Sequence, residues 1–227
     1  MSATGHPQQN ADMISGDNND TTGSDMTSNA GYERFTVKQK ITMMVNRYEI
    51  RSVDANGGEG PVIAVAQQKR MAFKEQVTFY ADEGRKQQVF GFKARQRLDL
   101  GATYDVLDAS GTPIGSFRKE FAKSLLRSTW QLTAADGLQA TGTERSQNVA
   151  IARRLWELLP FIGDLPSPFL FHFDFTAPDG AIVLTSIRRR SVRDRYNVEL
   201  PTSPTGYRLD WRVGAAMAVA LDALQSR

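Results

Sequence analysis

Cysteine is absent from all 227 residues, which excludes disulfides, thiolate nucleophiles, zinc–thiolate sites and iron–sulfur clusters. That absence fits a reducing cytoplasm without excluding secretion. Histidine is nearly absent: His6 and His172 are the only two. No G-x-S-x-G elbow, Walker loop, H-E-x-x-H pair or G-x-G-x-x-G fingerprint occurs. With no converging catalytic set, the chain is expected not to be an enzyme. Nothing in it calls for a cofactor. Long apolar runs are also missing. The longest near the C-terminus, Val213 to Leu221, is nine residues, and Asp222 ends it. A membrane-spanning helix needs about 20.

Basic residues are missing from one region. Residues 1–31 hold Asp12, Asp17, Asp20 and Asp25 and no Lys or Arg. They have neither the charged start nor the apolar stretch of a secretion signal. They are Ser, Thr, Asn, Asp, Gly and Gln with scattered Met, too polar to offset the entropy of ordering, so an acidic disordered tail is expected. The folded domain is expected over 32–227. It carries all 28 Lys/Arg against 21 of the 25 Asp/Glu, a net charge of +7. Such a balance favours anionic partners, although it also lies within ordinary solubility charge for a small domain.

Turn signals are plentiful. They are Asp54-Ala55-Asn56-Gly57, Ala81-Asp82-Glu83-Gly84, Asp108-Ala109-Ser110-Gly111, Ala135-Asp136-Gly137, Pro178-Asp179-Gly180 and Pro204-Thr205-Gly206. Asp and Asn tolerate left-handed backbone and Gly adopts it freely, so each is a hairpin candidate. Successive glycines lie 27, 27, 26, 43 and 26 residues apart. A period near 26 holds two strands and two turns, and the long interval implies an insertion of about 17 residues. Between the turns, Phe35–Ile41, Val62–Ala66, Val77–Tyr80, Val89–Phe92, Tyr104–Leu107, Ile114–Phe117, Trp130–Thr133, Phe169–Phe175 and Ile182–Ile187 are rich in strand formers. Six hairpins predict about twelve strands.

Two segments break the pattern. Over Gln147–Leu159, the residues Val149, Ala152, Leu155, Trp156 and Leu159 recur at helical spacing, with Arg153 and Arg154 on another face. This inserted amphipathic helix fills the long interval. The second segment, Trp211–Arg227, is Ala-rich and apolar all the way round, with one helix-weakening residue, Gly214. A short helix apolar on every side is buried on every side. Its small side chains suit the inside of a barrel, which would leave no free sheet edge. The expected fold class is therefore all-β with a central helix. Specifically, a closed antiparallel barrel of about twelve strands surrounds the C-terminal helix.

Three stretches resemble a known superfamily. Tyr104-Asp105-Val106-Leu107-Asp108-Ala109-Ser110-Gly111-Thr112-Pro113-Ile114-Gly115 is similar to its central hairpin. Arg195-Tyr196-Asn197-Val198 is similar to its last strand, and Leu209-Asp210-Trp211-Arg212 to the entry of its final helix. Over roughly 32–227, the chain resembles the tubby C-terminal-like superfamily, in its LURP-one-related and phospholipid-scramblase branch. The resemblance implies a twelve-stranded barrel around a hydrophobic helix, and binding of phosphoinositides or other anionic lipids. Two departures argue against calcium-driven lipid scrambling. The cysteine cluster of animal scramblases is missing, and no acidic calcium-binding stretch matches near Phe171–Asp179. The turn aspartates lack calcium-loop spacing, so no metal site is expected.

The sharpest candidate site is Arg188, Arg189, Arg190, Arg193 and Arg195. In an unbroken strand, Arg188 and Arg190 would face one side, and Arg189, Arg193 and Arg195 the other. Guanidinium groups bind phosphate bidentately, so such a patch suits an anionic headgroup. The bland alternative is a solvated strand end partly neutralised by Asp194 and Glu199. A membrane-contact group is read in the insertion: Arg153, Arg154, Trp156, Phe161 and Ile162, with barrel packing as the alternative. Arg118, Lys119, Lys123 and Arg127 read as dispersed outward charge, and His172 as a packed strand residue. The leading expectation is a non-enzymatic module for anionic phospholipid headgroups or other phosphorylated ligands. It would be cytoplasmic and peripheral on the inner membrane face, with no nucleic-acid role. A protein-interaction scaffold is the runner-up, and an enzyme with an unrecognised carboxylate site ranks third.

Overall fold

A computed structural model describes residues 31–41, 45–69, 76–95, 101–120, 129–145, 172–189 and 195–225. Twelve antiparallel strands close into one barrel, and every neighbour in sequence is a neighbour in space. They are β1 (Arg34–Ile41), β2 (Val45–Val53), β3 (Glu59–Lys69), β4 (Gln76–Tyr80), β5 (Gln88–Ala94) and β6 (Thr103–Asp108). Then follow β7 (Pro113–Glu120), β8 (Thr129–Ala134), β9 (Gln139–Glu144), β10 (His172–Thr176), β11 (Ile182–Arg189) and β12 (Arg195–Glu199). β1 pairs with both β2 and β12, so no edge is left open.

Strand alternation sorts the side chains. In β2, Tyr48 and Ile50 are buried while Arg47, Glu49 and Arg51 point outward, the period of two that a half-buried strand requires. β8 sends Trp130, Leu132 and Ala134 inward. The interior is aromatic. Phe79 stacks on Phe90 with ring centres 4.1 Å apart, and Phe117 meets Phe92 edge-on at 5.3 Å.

Five of the six predicted turns are hairpins at one end of the barrel: β2–β3, β4–β5, β6–β7, β8–β9 and β10–β11. Their aspartates are consumed by the turns. Asp108 Oδ1 accepts the amides of Ser110 and Thr112, each at 2.9 Å, and the Ser110 hydroxyl at 2.6 Å. The chain turns left-handed at Gly111, φ +87°. The second turn departs from expectation, because Arg85, not Gly84, takes the positive φ, at +54°. The sixth turn, at Gly206, joins β12 to a helix rather than to a strand.

That helix, α1 (Trp211–Gln225), runs through the barrel. Asp210 caps it: its Oδ1 accepts the Arg212 amide at 2.9 Å. Ala215, Met217 and Ala218 are fully enclosed, Leu221 is buried, and Leu224 is partly so. The barrel interior explains the small side chains. A Cβ on Gly214 would lie 2.9 Å from Leu200 Cδ2, so glycine here trades helix propensity for close packing. Near the helix end, Asp222 is buried and accepts the hydroxyls of Tyr48 at 2.9 Å and Tyr196 at 2.5 Å. It therefore ties the helix to β2 and β12.

Three sequence expectations need correction. β2 and β9 were not among the segments read as strands. Lys119 does not point outward: its cross-strand partner is the buried Trp130, and its Nζ lies 5.9 Å from that ring. The Arg-rich stretch is not one strand, because β11 ends at Arg189 and β12 begins at Arg195. The expected tail, the inserted helix over 147–159, the Phe169–Phe171 end of the predicted strand, and Lys123 and Arg127 lie outside the described residues.

Candidate functional site

The break between β11 and β12 brings Arg189 and Arg195 together by register rather than by sequence spacing. They are cross-strand partners, so both project from the outer face. Arg188 pairs with Tyr196, whose side chain is buried toward α1, so Arg188 belongs to the inner face at the rim. The expected split of Arg188 from Arg189 and Arg195 therefore holds, although the strand is broken. Arg190 and Arg193 belong to the connection between these strands and lie outside the described residues. So do Arg153, Arg154, Trp156, Phe161 and Ile162, the expected membrane contacts.

Barrel closure extends the cluster with residues that sequence reading missed. Arg195 sits opposite Lys38 of β1, and Lys38 opposite Glu49 of β2. One rung of the outer surface thus reads Arg189, Arg195, Lys38, Glu49. The next rung pairs Lys40 with Arg47. The only signal in the sequence was the alternation Thr36, Lys38, Lys40, which marks one face of β1.

Carboxylates organise this patch without cancelling it. Glu59 meets Lys38 Nζ at 2.6 Å and Arg195 Nη2 at 2.7 Å, and accepts the Thr36 hydroxyl at 3.2 Å. The Lys38 hydrogen bond and the Arg195 charge hold the Glu59 carboxyl below its usual range, against a smaller opposing effect of burial. Glu49 lies under Lys40 and Arg51. Burial pushes its carboxyl up, but the hydrogen bonds from Lys40 and Arg51 outweigh burial and hold it down. Lys40 also meets Glu83 at 3.2 Å. Arg189 is exposed and has no ion-pair partner among the described residues.

The far side of the barrel is built differently. There Arg95 and Arg118 each sit on their own carboxylate, Asp105 at 2.8 Å and Glu120 at 3.5 Å, while Arg145 does the same nearer the patch, on Asp174 of β10 at 2.7 Å. β7 stands six strands from β1 in either direction round the ring, so the two faces look in opposite directions. His172 starts β10 with its Nδ1 buried and without a hydrogen-bond partner among the described residues. Burial and the Arg145 charge push its pKa down, so the ring is uncharged at neutral pH.

Among the described residues, no helix is long and apolar enough to cross a membrane, and no three His, Asp or Glu side chains cluster as metal ligands. No curated protein matches the chain. The family model for LURP-one-related proteins matches residues 62–222, from β3 through Asp222 of the central helix. The closed twelve-stranded barrel, its buried C-terminal helix and this match together make the chain a member of the LURP-one-related family, within the tubby-like C-terminal superfamily.

Proposed function

We propose that this domain is a non-enzymatic module that binds anionic phospholipid headgroups or other phosphorylated ligands at the inner face of a membrane. The supporting observation is the outer rung Arg189, Arg195, Lys38, continued by Lys40 and Arg47. Four neighbouring strands, β11, β12, β1 and β2, present basic side chains on one surface, and Glu59, Glu49 and Glu83 offset only part of that charge. Like charges directly opposite one another destabilise a sheet, and the Arg189–Arg195 pair leaves Arg189 without an ion-pair partner among the described residues, a place that suits an external anion. The family assignment supports a ligand-binding barrel in the coarser sense.

Retention on lipid vesicles tests this reading. Vesicles containing phosphatidylserine are expected to retain the protein, while vesicles of phosphatidylcholine alone are not. Retention is expected to fall steeply as salt rises, since the Debye length shrinks from about 10 Å at 0.1 M to about 3 Å at 1 M. Equal retention by both vesicle types, or by neither, would overturn the lipid reading and favour a protein-interaction scaffold.

A further inference from the structure

Glu59 is the first residue of β3, yet its carboxylate contacts side chains of β1 and β12, on the other side of β2. Three donors from two strands converge on it: the Lys38 ammonium, the Arg195 guanidinium and the Thr36 hydroxyl. This is the donor set of an oxyanion receptor, already holding an oxyanion of its own. The two ion pairs are open to solvent, with side-chain exposures of 31% for Lys38, 39% for Arg195 and 27% for Glu59, while Thr36 itself is buried. Exposed ion pairs of this kind contribute only about 0–1 kcal/mol, so an incoming anion can displace the carboxylate at little cost.

We propose that Thr36, Lys38 and Arg195 form a receptor for a phosphate monoester, and that Glu59 is its built-in competitor. A carboxylate brings one negative charge and two oxygens. A phosphate monoester brings nearly two charges at neutral pH and three acceptor oxygens. The ester therefore matches the three donors and can also engage Arg189, the exposed cross-strand partner of Arg195. A phosphodiester, with one charge, gains less over the carboxylate it must displace. The three donors thus favour a monoester over a diester, and Glu59 lowers the affinity for the anion that enters the receptor. This rests on the anion-binding reading of the same surface and adds ligand class and gating to it.

The experiment compares the native protein with Glu59→Gln, which keeps the side-chain shape and removes the competing charge. Vesicles carry either phosphatidic acid, a monoester, or phosphatidylserine, a diester, at matched surface charge, and a third arm titrates inorganic phosphate. Glu83→Gln controls for general charge removal, since Glu83 is exposed and, among the described residues, pairs only with Lys40. One charge near the membrane surface corresponds to about 1 kcal/mol, or roughly fivefold in affinity. Glu59→Gln is expected to tighten phosphatidic acid binding by at least that factor while changing phosphatidylserine binding less. Adding Lys38→Gln is expected to abolish the gain. Equal tightening toward both lipids, or the same gain from Glu83→Gln, would overturn the inference and leave the membrane reading standing. If neither vesicle retains the native protein, the membrane reading falls. In that case tighter inorganic phosphate binding by Glu59→Gln would support a receptor for a soluble ester, and unchanged phosphate binding would overturn it.

Discussion

Deletion of Trp211–Gln225 is expected to abolish cooperative folding. The helix places Trp211, Val213, Met217, Val219 and Leu221 in the centre of the barrel, all buried. Burial of such side chains is worth about 1.5–3 kcal/mol each, roughly 8–15 kcal/mol together, which matches the whole stability of a typical domain, about 5–15 kcal/mol. The strands cannot collapse to fill the space, because a closed barrel fixes its own radius through strand number and tilt. The truncated chain should therefore expose its aromatic interior, bind a hydrophobic dye and show no sharp thermal transition. A soluble truncation that melts cooperatively would show that the helix is an accessory. A milder variant, Asp222→Ala, removes the buried carboxylate that accepts the Tyr48 and Tyr196 hydroxyls. It should cost about 2–4 kcal/mol, since a hydrogen bond to a charged group contributes about 1.5–3 kcal/mol and two are lost.

Replacing Lys38, Arg189 and Arg195 together with Gln is expected to weaken binding to anionic vesicles about a hundredfold. Each basic side chain near an acidic surface contributes about 1 kcal/mol, and three such contributions amount to about two factors of ten. The slope of affinity against salt should flatten in parallel, because fewer screened contacts remain. Stability should change little, since all three are outward side chains. The matched control is Lys93, Arg95 and Arg118 to Gln, which removes the same charge around β5 and β7, across the barrel. It should leave binding within severalfold of native. Equal losses from the two triple variants would mean that net charge, rather than this rung, drives association.

The barrel was legible where single residues decide local geometry. Aspartates and glycines mark the hairpins because few other residues cap a turn and accept positive φ, and their even spacing predicts the strand count. The all-round apolar helix could be placed inside because it has no polar face to present to water. Strand β9 was hidden because its inward residues are Ala140, Gly142 and Glu144 rather than large apolar ones. The room left by Gly142 is filled from β10: a Cβ there would lie 2.3 Å from Phe175. That packing depends on a strand brought alongside from well beyond the hairpin and leaves no local signature. β2 kept its alternation but carries Arg47, Glu49 and Arg51 between the core residues, which masks it in a search for apolar runs.

The candidate site was legible only in part, for a similar reason. Arg189 and Arg195 stand out because they are close in sequence. Lys38 joins them through the closing β1–β12 pair, and Glu59 reaches both from across β2. Neither link has a sequence period, since closure register is set by the barrel as a whole.

The most direct measurement exploits the missing cysteine, since one introduced thiol is a unique attachment point. Gln67→Cys places a fluorophore on β3, opposite Arg47. Ser116→Cys places it on β7, six strands from β1. With phosphatidylserine vesicles carrying a headgroup quencher, the Gln67 site should be quenched and the Ser116 site should stay bright. Quenching at Ser116 as strong as at Gln67, or stronger, would contradict a membrane-facing surface built on β11, β12, β1 and β2.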